Sequence, residues 1–309
     1  MRDSSVGTAS IDHLRDGELP LLSVLCLTYN HGRYISKALD SFLMQETSFP
    51  IEIVIGEDCS IDNTLAVIED YQSKFPAIVR LITSPTNVGV TENFRRTLSA
   101  CRGRYVALCE GDDYWEDKTK LQTQVEFLEG NSKYVITYHD AYRLDGLVAS
   151  MDLQLPQQYR CDATEYELIN ARPLSTLTAC FRNVLVEIPS EFNHAPMLDL
   201  CLWSLLGQHG EGKYLGHIKP AVYRAHEGGV FSHQSESNKL RMTMRTYSCL
   251  AQYYENRAQK KISQNFTLKI ASAAGSQLTV WMRLRLIGML VDEILGNRLY
   301  LIKKRLIGK

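Results

Sequence analysis

The sequence predicts an α/β fold: a mostly parallel sheet flanked by helices, with a helical C-terminal extension. Three observations predict it. Short apolar runs alternate with helix-period stretches four times in the first 130 residues. Each run is followed by polar, chemically apt residues, where ligands sit in parallel sheets. From about residue 236 onward the pattern is helical.

Residues 1–19 form a polar lead-in. Leu21–Leu27 reads as a buried strand, ended by the turn signal Thr28-Tyr29-Asn30-His31-Gly32. A helix is expected over 33–45, where Tyr34, Ile35, Ala38, Leu39, Phe42 and Leu43 keep helical spacing. Ile51–Ile55 is a β-branched second strand. Ser60–Thr64 opens the next helix, which runs to about Ser73 with a Ser or Asp as N-cap. Strands at Val79–Thr83, Arg104–Cys109 and Tyr134–Tyr138 frame helices over 91–100 and 117–129. From 140 to 230 the pattern is less regular. A strand is expected over Pro173–Arg182, a short helix over 196–207, and a strand over Ile218–Arg224 closed by His226-Glu227-Gly228-Gly229. Helices follow over 237–261, 266–275 and 280–305.

Composition narrows the function. The 309 residues are 45% hydrophobic and 22% charged, as soluble globular chains are. A formal net charge of -1 carries no basic excess, so no nucleic acid partner is expected. Eight cysteines (Cys26, Cys59, Cys101, Cys109, Cys161, Cys180, Cys201 and Cys249) show no CxxC or zinc spacing. They read as reduced thiols in a cytoplasmic protein. The N-terminus has no apolar h-region and the chain has no apolar run long enough for a spanning helix. GxGxxG, GxxxxGK[ST] and GxSxG are absent, which removes the phosphate cradles of dinucleotide and P-loop proteins and the hydrolase nucleophile elbow.

Two acidic clusters remain. Glu110-Gly111-Asp112-Asp113 places three carboxylates at a strand exit, where they repel one another unless a cation is present. Mg²⁺ or Mn²⁺ takes such oxygen ligands together with substrate phosphates. A solvated acidic turn is the structural alternative. Glu57-Asp58-Cys59-Ser60-Ile61-Asp62-Asn63-Thr64 offers a carboxylate to a base N–H and caps for the next helix, with Asp62 and Thr64 read as structural.

The ordered set LLSVLCLTYN, IEIVIGEDCSIDNT, NVG and RYVALCEGDDYW resembles the inverting, family-2-type glycosyltransferases of GT-A fold, from about Leu21 to Ser232. That resemblance implies a glycosyltransferase domain over 20–235, with a nucleotide-binding half (20–140) and an acceptor half (141–235), before the extension at 236–309. It implies that Thr28, Tyr29 and Asn30 line a uridine or thymidine pocket and that Asp58 accepts from the pyrimidine N3–H. Asn87, Gly89 and Asn93 match the segment near the nucleotide. Asp112 and Asp113 match the metal-diphosphate site, with Asp112 near the ribose and Asp113 ligating the metal, and Tyr223-Arg224-Ala225-His226 matches a late element near the diphosphate or metal, with Asp112 and His226 counted among the metal residues. Many relatives carry Asp where this chain has Glu57 and Glu110.

The general base of that family is an aspartate on a short helix in the second half, and Asp199 in Pro196–Trp203 fits it. Read alone, Asp199 is a first-turn acid favoured by the helix macrodipole. Trp203, Thr176 and Thr178 fall on the acceptor side.

The implied reaction moves a sugar from a nucleotide-diphosphate donor, a UDP-sugar first, to a glycan or lipid-linked acceptor in cell-surface polysaccharide synthesis. A divalent cation offsets charge on the leaving group, and Asp199 takes the acceptor proton in a single displacement. The alternative is a non-catalytic nucleotide-sugar-binding or scaffold subunit, disfavoured by Asp58, Asp112, Asp113 and Asp199. A nucleotidyltransferase would need a glycine-rich loop after the first strand. The basic, amphipathic tail from Val280 suits either an anionic membrane surface, at the inner face of the membrane, or packing on the catalytic domain.

Overall fold

In the computed structural model, residues 19–276 are described, apart from 146, 147, 227, 230 and 233 and the side chains of 148–152. The predicted alternation is present: β1 (Leu22–Thr28), α1 (Ile35–Leu43), β2 (Ile51–Glu57), α2 (Thr64–Lys74), β3 (Val79–Ile82), α3 (Val90–Ala100), β4 (Tyr105–Leu108), α4 (Lys120–Gly130) and β5 (Tyr134–Tyr138). The remaining elements are β6 (Ala141–Asp145), β7 (Val148–Leu153), α5 (Glu165–Ile169), β8 (Cys180–Arg182), α6 (Leu198–Leu206), β9 (Glu211–Tyr214), β10 (Ala221–Ala225), α7 (Glu236–Asn256) and α8 (Lys260–Ser276).

Seven strands form one sheet in the order β3-β2-β1-β4-β8-β5-β9. Strands β3, β2, β1 and β4 run parallel; β8 enters antiparallel between β4 and β5, and β9 pairs parallel with β5. A second sheet, β10-β6-β7, joins β10 parallel to β6 and β6 antiparallel to β7.

Every residue of β2 is buried, as expected for a central parallel strand covered on both faces. The side-chain alternation of β1 and β4 divides the core. Leu22, Val24, Cys26, Tyr105 and Ala107 pack with Ile35, Phe42, Ile68 and Leu121 of α1, α2 and α4. Leu25, Val106 and Leu108 face the other way, onto Phe94, Trp203, Leu250 and Phe266 of α3, α6, α7 and α8. The helical extension is therefore part of the second core through residue 276.

Where the sequence reading differs, the cause is local. Residues 173–182 are not one strand: Thr176–Thr178 form a 3-10 turn, with Thr178 N–H donating to Ser175 O, before the three-residue β8. The helix after β2 has Asn63 at its N-cap with no side-chain cap; Asp62 instead accepts from Thr64 N–H and Oγ1. The short helix α5, opened by a Thr164/Glu167 capping box, and the strands β6, β7 and β9 fall in the stretch where the apolar pattern is irregular and were not expected. The expected helix at 280–305 and its membrane reading lie outside the described residues. Among the described residues no helix is long and apolar enough to cross a membrane, and all eight cysteines are unpaired.

Candidate active site

The carboxyl ends of β1, β2 and β4 meet at one rim, and close approach of backbone makes this possible. Gly111 N–H donates to Leu27 O at 2.9 Å. A Cβ on Gly111 would fall 2.8 Å from Ile35 Cδ1 and 2.9 Å from Thr28 Oγ1, so any larger residue would force these side chains to move. The loops after β1 and β2 are laced together. Asn30, at φ 56°, donates its N–H to Ser60 Oγ and accepts from Ile61 N–H, both at 2.9 Å. Gly32 N–H donates to Asp62 at 3.0 Å. Glu57, buried, folds its own loop by accepting from Cys59 N–H and Ser60 N–H.

Asp58 is buried and bidentate: its two oxygens accept from Val88 N–H at 2.8 Å and Gly89 N–H at 2.9 Å. Asn87 Nδ2 donates to Asp58 O. Gly89, at φ 82°, turns the chain so that both N–H groups point at one carboxylate. Asn93 is buried and bridges α3 to β2, donating to Gly56 O and accepting from Arg96 Nε. Arg96, one turn further on, lies 3.9 Å from Asp58 Oδ1 and also donates to Glu57 O. The structure thus brings Asp58, Asn87, Gly89 and Asn93 together, with Arg96 as their hub. Tyr29 is 42% exposed at the rim, and Thr28 Oγ1 is buried with no hydrogen-bond partner among the described residues.

The third wall comes from β10. Arg224 N–H donates to Asp113 Oδ1 at 2.8 Å and its Nη1 donates to Asp112 O at 2.7 Å. Its guanidinium lies over the rings of Tyr114 (4.5 Å) and Tyr34 (5.4 Å). These contacts carry His226 onto Asp112, Nε2 to Oδ2 at 2.9 Å, and onto the Tyr34 ring at 4.7 Å. His31 Nε2 approaches the same carboxylate at 3.7 Å.

His31, Asp112 and His226 each offer one ligand atom within 4.8 Å of the others. Two atoms of the group, Asp112 Oδ1 and His31 Nδ1, are buried without partners among the described residues. Buried orphans of this kind fit a cation site, because an unpaired buried polar atom otherwise costs about 1–3 kcal/mol. Burial pushes the Asp112 carboxyl up, but the His226 bond and the two imidazoles outweigh it and hold it below the usual carboxylate range. Burial holds His31 below its ordinary value, against the pull of Asp112.

Asp113 is placed differently from Asp112. It is 2% exposed, and burial together with Asp112 and Glu110 holds its carboxyl well above the usual range. Its contact is the Arg224 backbone, so here it fastens β10 to the acidic turn.

Asp199 lies in the first turn of α6, partly exposed. Burial raises its pKa, against the opposing influence of the Leu200 and Asp199 N–H groups and the Thr176 hydroxyl. Glu110 is near enough to feel it: burial, then Asp112 and Asp199, push Glu110 up to about 8. Asp112 and Asp199 thus both act electrostatically on Glu110. Of the residues expected on the acceptor side, Thr176 is half-buried in the 3-10 turn, Thr178 is buried with its hydroxyl donated to Ser175 O, and Trp203 is wholly within the core.

The sequence reading did not single out His31, Tyr34 or Arg96 as site residues, while Arg224 entered it only as part of the Tyr223–His226 element. His31 stood directly after Thr28–Asn30, which was a usable signal; Tyr34 and Arg96 lie at positions that sequence spacing does not orient.

The model of glycosyl transferase family 2 matches residues 23–187. Rv1520 of Mycobacterium tuberculosis (strain ATCC 25618 / H37Rv) is 35% identical over 217 residues, covering 68% of this chain and 60% of the relative, so the chain spans about three fifths of that protein. TuaG of Bacillus subtilis (strain 168), named as a teichuronic acid biosynthesis glycosyltransferase, is 26% identical over 257 residues, covering 79% of this chain and 98% of TuaG. Among solved structures, Staphylococcus aureus TarS 1-349 in complex with UDP-GlcNAc superposes with a TM-score of 0.56 at 20% identity, over 74% of this chain and 66% of that one. That structure shares the fold.

Proposed function

The chain belongs to glycosyl transferase family 2, and from that premise we propose that it transfers a sugar, with inversion, from a nucleotide-diphosphate donor to a hydroxyl of a growing cell-surface glycan. The observation that carries the proposal is the His31/Asp112/His226 group gathered at the rim, with Asp112 Oδ1 and His31 Nδ1 buried and without partners among the described residues. The name of TuaG and the UDP-GlcNAc complex of TarS support a UDP-sugar donor and a cell-envelope polymer as the acceptor class.

Asp112, His226 and His31 would hold a divalent cation, with Mn²⁺ suiting two imidazoles better than Mg²⁺, which keeps to oxygen donors and water. When bound, such an ion offsets the negative charge of a diphosphate leaving group. Asp58 holds the 87–89 segment with two of its lone-pair sites and keeps others for the pyrimidine N3–H. Thr28, Tyr29 and Asn30 form the opposite side of that base pocket. Asp199, in the first turn of α6, accepts the proton of the acceptor hydroxyl, and its raised pKa gives it affinity for that proton. In this assignment Asp112, rather than Asp113, is the carboxylate ligand, and Asp113 sets the position of His226 through Arg224.

A thermal-shift screen of UDP-, dTDP- and GDP-sugars with Mn²⁺, Mg²⁺ or EDTA tests this reading. A rise in Tm with UDP-sugars that depends on Mn²⁺ is expected. No shift with any nucleotide sugar would overturn it.

A further inference from the structure

The helix bearing Asp199 does not cap itself. Its N-cap residue, Met197, has an apolar side chain and makes no side-chain cap hydrogen bond. The Met197 N–H is instead taken by another helix: it donates to Thr246 Oγ1 of α7 at 3.2 Å. Thr246 is completely buried, and its hydroxyl proton goes to Met242 O at 3.0 Å, which leaves the oxygen to accept. In a capping box, the side chain that reaches back to the N-cap N–H comes from the same helix. Here a residue 49 positions later supplies it. Thr243 of α7 adds a contact from its hydroxyl to Met197 Sδ at 3.6 Å.

A second grip lies further along. Ser204 Oγ and Tyr254 OH are 2.8 Å apart, and Tyr254 OH reaches Ser204 O at 3.2 Å, both side chains fully buried. Thr246 and Tyr254 are separated by about 12 Å of helix rise, Met197 and Ser204 by about 10 Å. The two contacts run in the same order along both helices, so α7 holds α6 at two points and fixes both its axial position and its rotation. Asp199 sits between them, two residues from the first.

We infer that α7 belongs to the transfer machinery: Thr246, backed by Tyr254, is a positioning residue that sets the pose of Asp199 against the acceptor hydroxyl. The inference rests on Asp199 being the proton acceptor. It gives the helical extension a role in turnover rather than in donor binding, because Thr246 touches only the start of α6 and not the loops around Asp58 or Asp112. A small displacement of a reacting group is costly, about a hundredfold per ångström in well-ordered sites.

The test uses the full chain as wild type, Thr246→Val, Thr246→Ser, Tyr254→Phe and Asp199→Asn. Turnover is read as UDP released from the UDP-sugar giving the largest thermal shift, and helix order as hydrogen exchange of the peptide spanning 197–206. Thr246→Val should lower kcat about tenfold or more, leave KM for the donor within about twofold, and speed exchange at 197–200 while the 28–31 and 110–113 segments stay as in wild type. Thr246→Ser, which keeps the oxygen, should restore both. Tyr254→Phe removes one hydroxyl and should give a smaller loss with faster exchange at 203–206; it carries the test if Thr246→Val does not fold. Wild-type kcat and exchange in Thr246→Val or, failing its folding, in Tyr254→Phe would overturn the inference, as would loss of donor KM in step with kcat. If Asp199→Asn releases UDP at the wild-type rate, the reading of Asp199 falls instead, and exchange alone then judges the grip.

Discussion

His226 Nε2 lies 2.9 Å from Asp112 Oδ2, across 114 residues of sequence. The contact joins the end of β10 to the acidic turn after β4, and Arg224 makes it possible by bonding both Asp112 and Asp113 through different atoms. A surface acidic turn needs no such brace. The brace makes sense where a charge must be held at a fixed distance from the Asp112 carboxylate.

That geometry divides the two adjacent aspartates. Asp112→Asn and His226→Ala should each remove the Mn²⁺-dependent part of UDP affinity, measured by calorimetry with and without EDTA. Asp113→Asn keeps an oxygen to accept from Arg224 N–H, so it should retain the metal dependence and change UDP affinity less than about threefold. The opposite pattern would make Asp113 the ligand.

Asp199→Asn should lower kcat by about 10²–10⁴ and leave UDP affinity as in wild type, since Asp199 stands on α6 rather than in the loops around Asp58 and Asp112. Turnover with matched binding isotherms reads this directly. An unchanged kcat would move the proton acceptor elsewhere.

The pH profile follows from burial. Only the ionised carboxylate of Asp199 accepts a proton, and burial raises its pKa in the folded chain. Activity should therefore fall on acidification with a midpoint above the ordinary aspartate value of about 3.9. In Asp199→Glu, a longer carboxylate, the limb should move. A kcat/KM that stays flat to pH 4 would contradict the assignment.

Gly111→Ala should cost more than a surface glycine change. The added methyl would press on Ile35 Cδ1 and Thr28 Oγ1 and push the acidic turn away from the β1 exit. The expected outcome is at least about a tenfold loss of UDP affinity with the fold retained, checked by circular dichroism and calorimetry.

Lys120 offers a test of the core. It is fully buried over the Trp115 ring at 4.1 Å, and burial lowers its pKa to about 8. The unfolded chain holds that proton up to about pH 10.4. Between these two values the unfolded state binds more protons, so stability rises with pH across this window; below it the cost of burying the charge is fully present. Relative to Lys120→Met, wild type should gain Tm between pH 8 and 10. A constant difference would mean the lysine is not desolvated.

Five strands and four helices of the first 138 residues were legible because apolar runs and helix-period stretches alternate regularly there, even where a strand has only four residues as in β3 and β4. Asp58 and Asp112 were legible as site candidates from their places after β2 and β4, and Asp199 from the family resemblance. Elements such as β8, α5 and β9 lie where that alternation breaks down, and the pairing of the two strands is set by neighbours distant in sequence.

By itself the sequence determined the layered sheet and the rim where acidic side chains collect, since hydrophobic period and strand polarity are local properties of the chain. Only the tertiary structure decided which of two neighbouring aspartates meets His226, that Asp58 is already engaged by Val88 and Gly89, and that α7 holds the start of α6. Those outcomes depend on the direction of side chains and backbone N–H groups brought together from segments far apart, and direction is fixed by packing rather than by order along the chain.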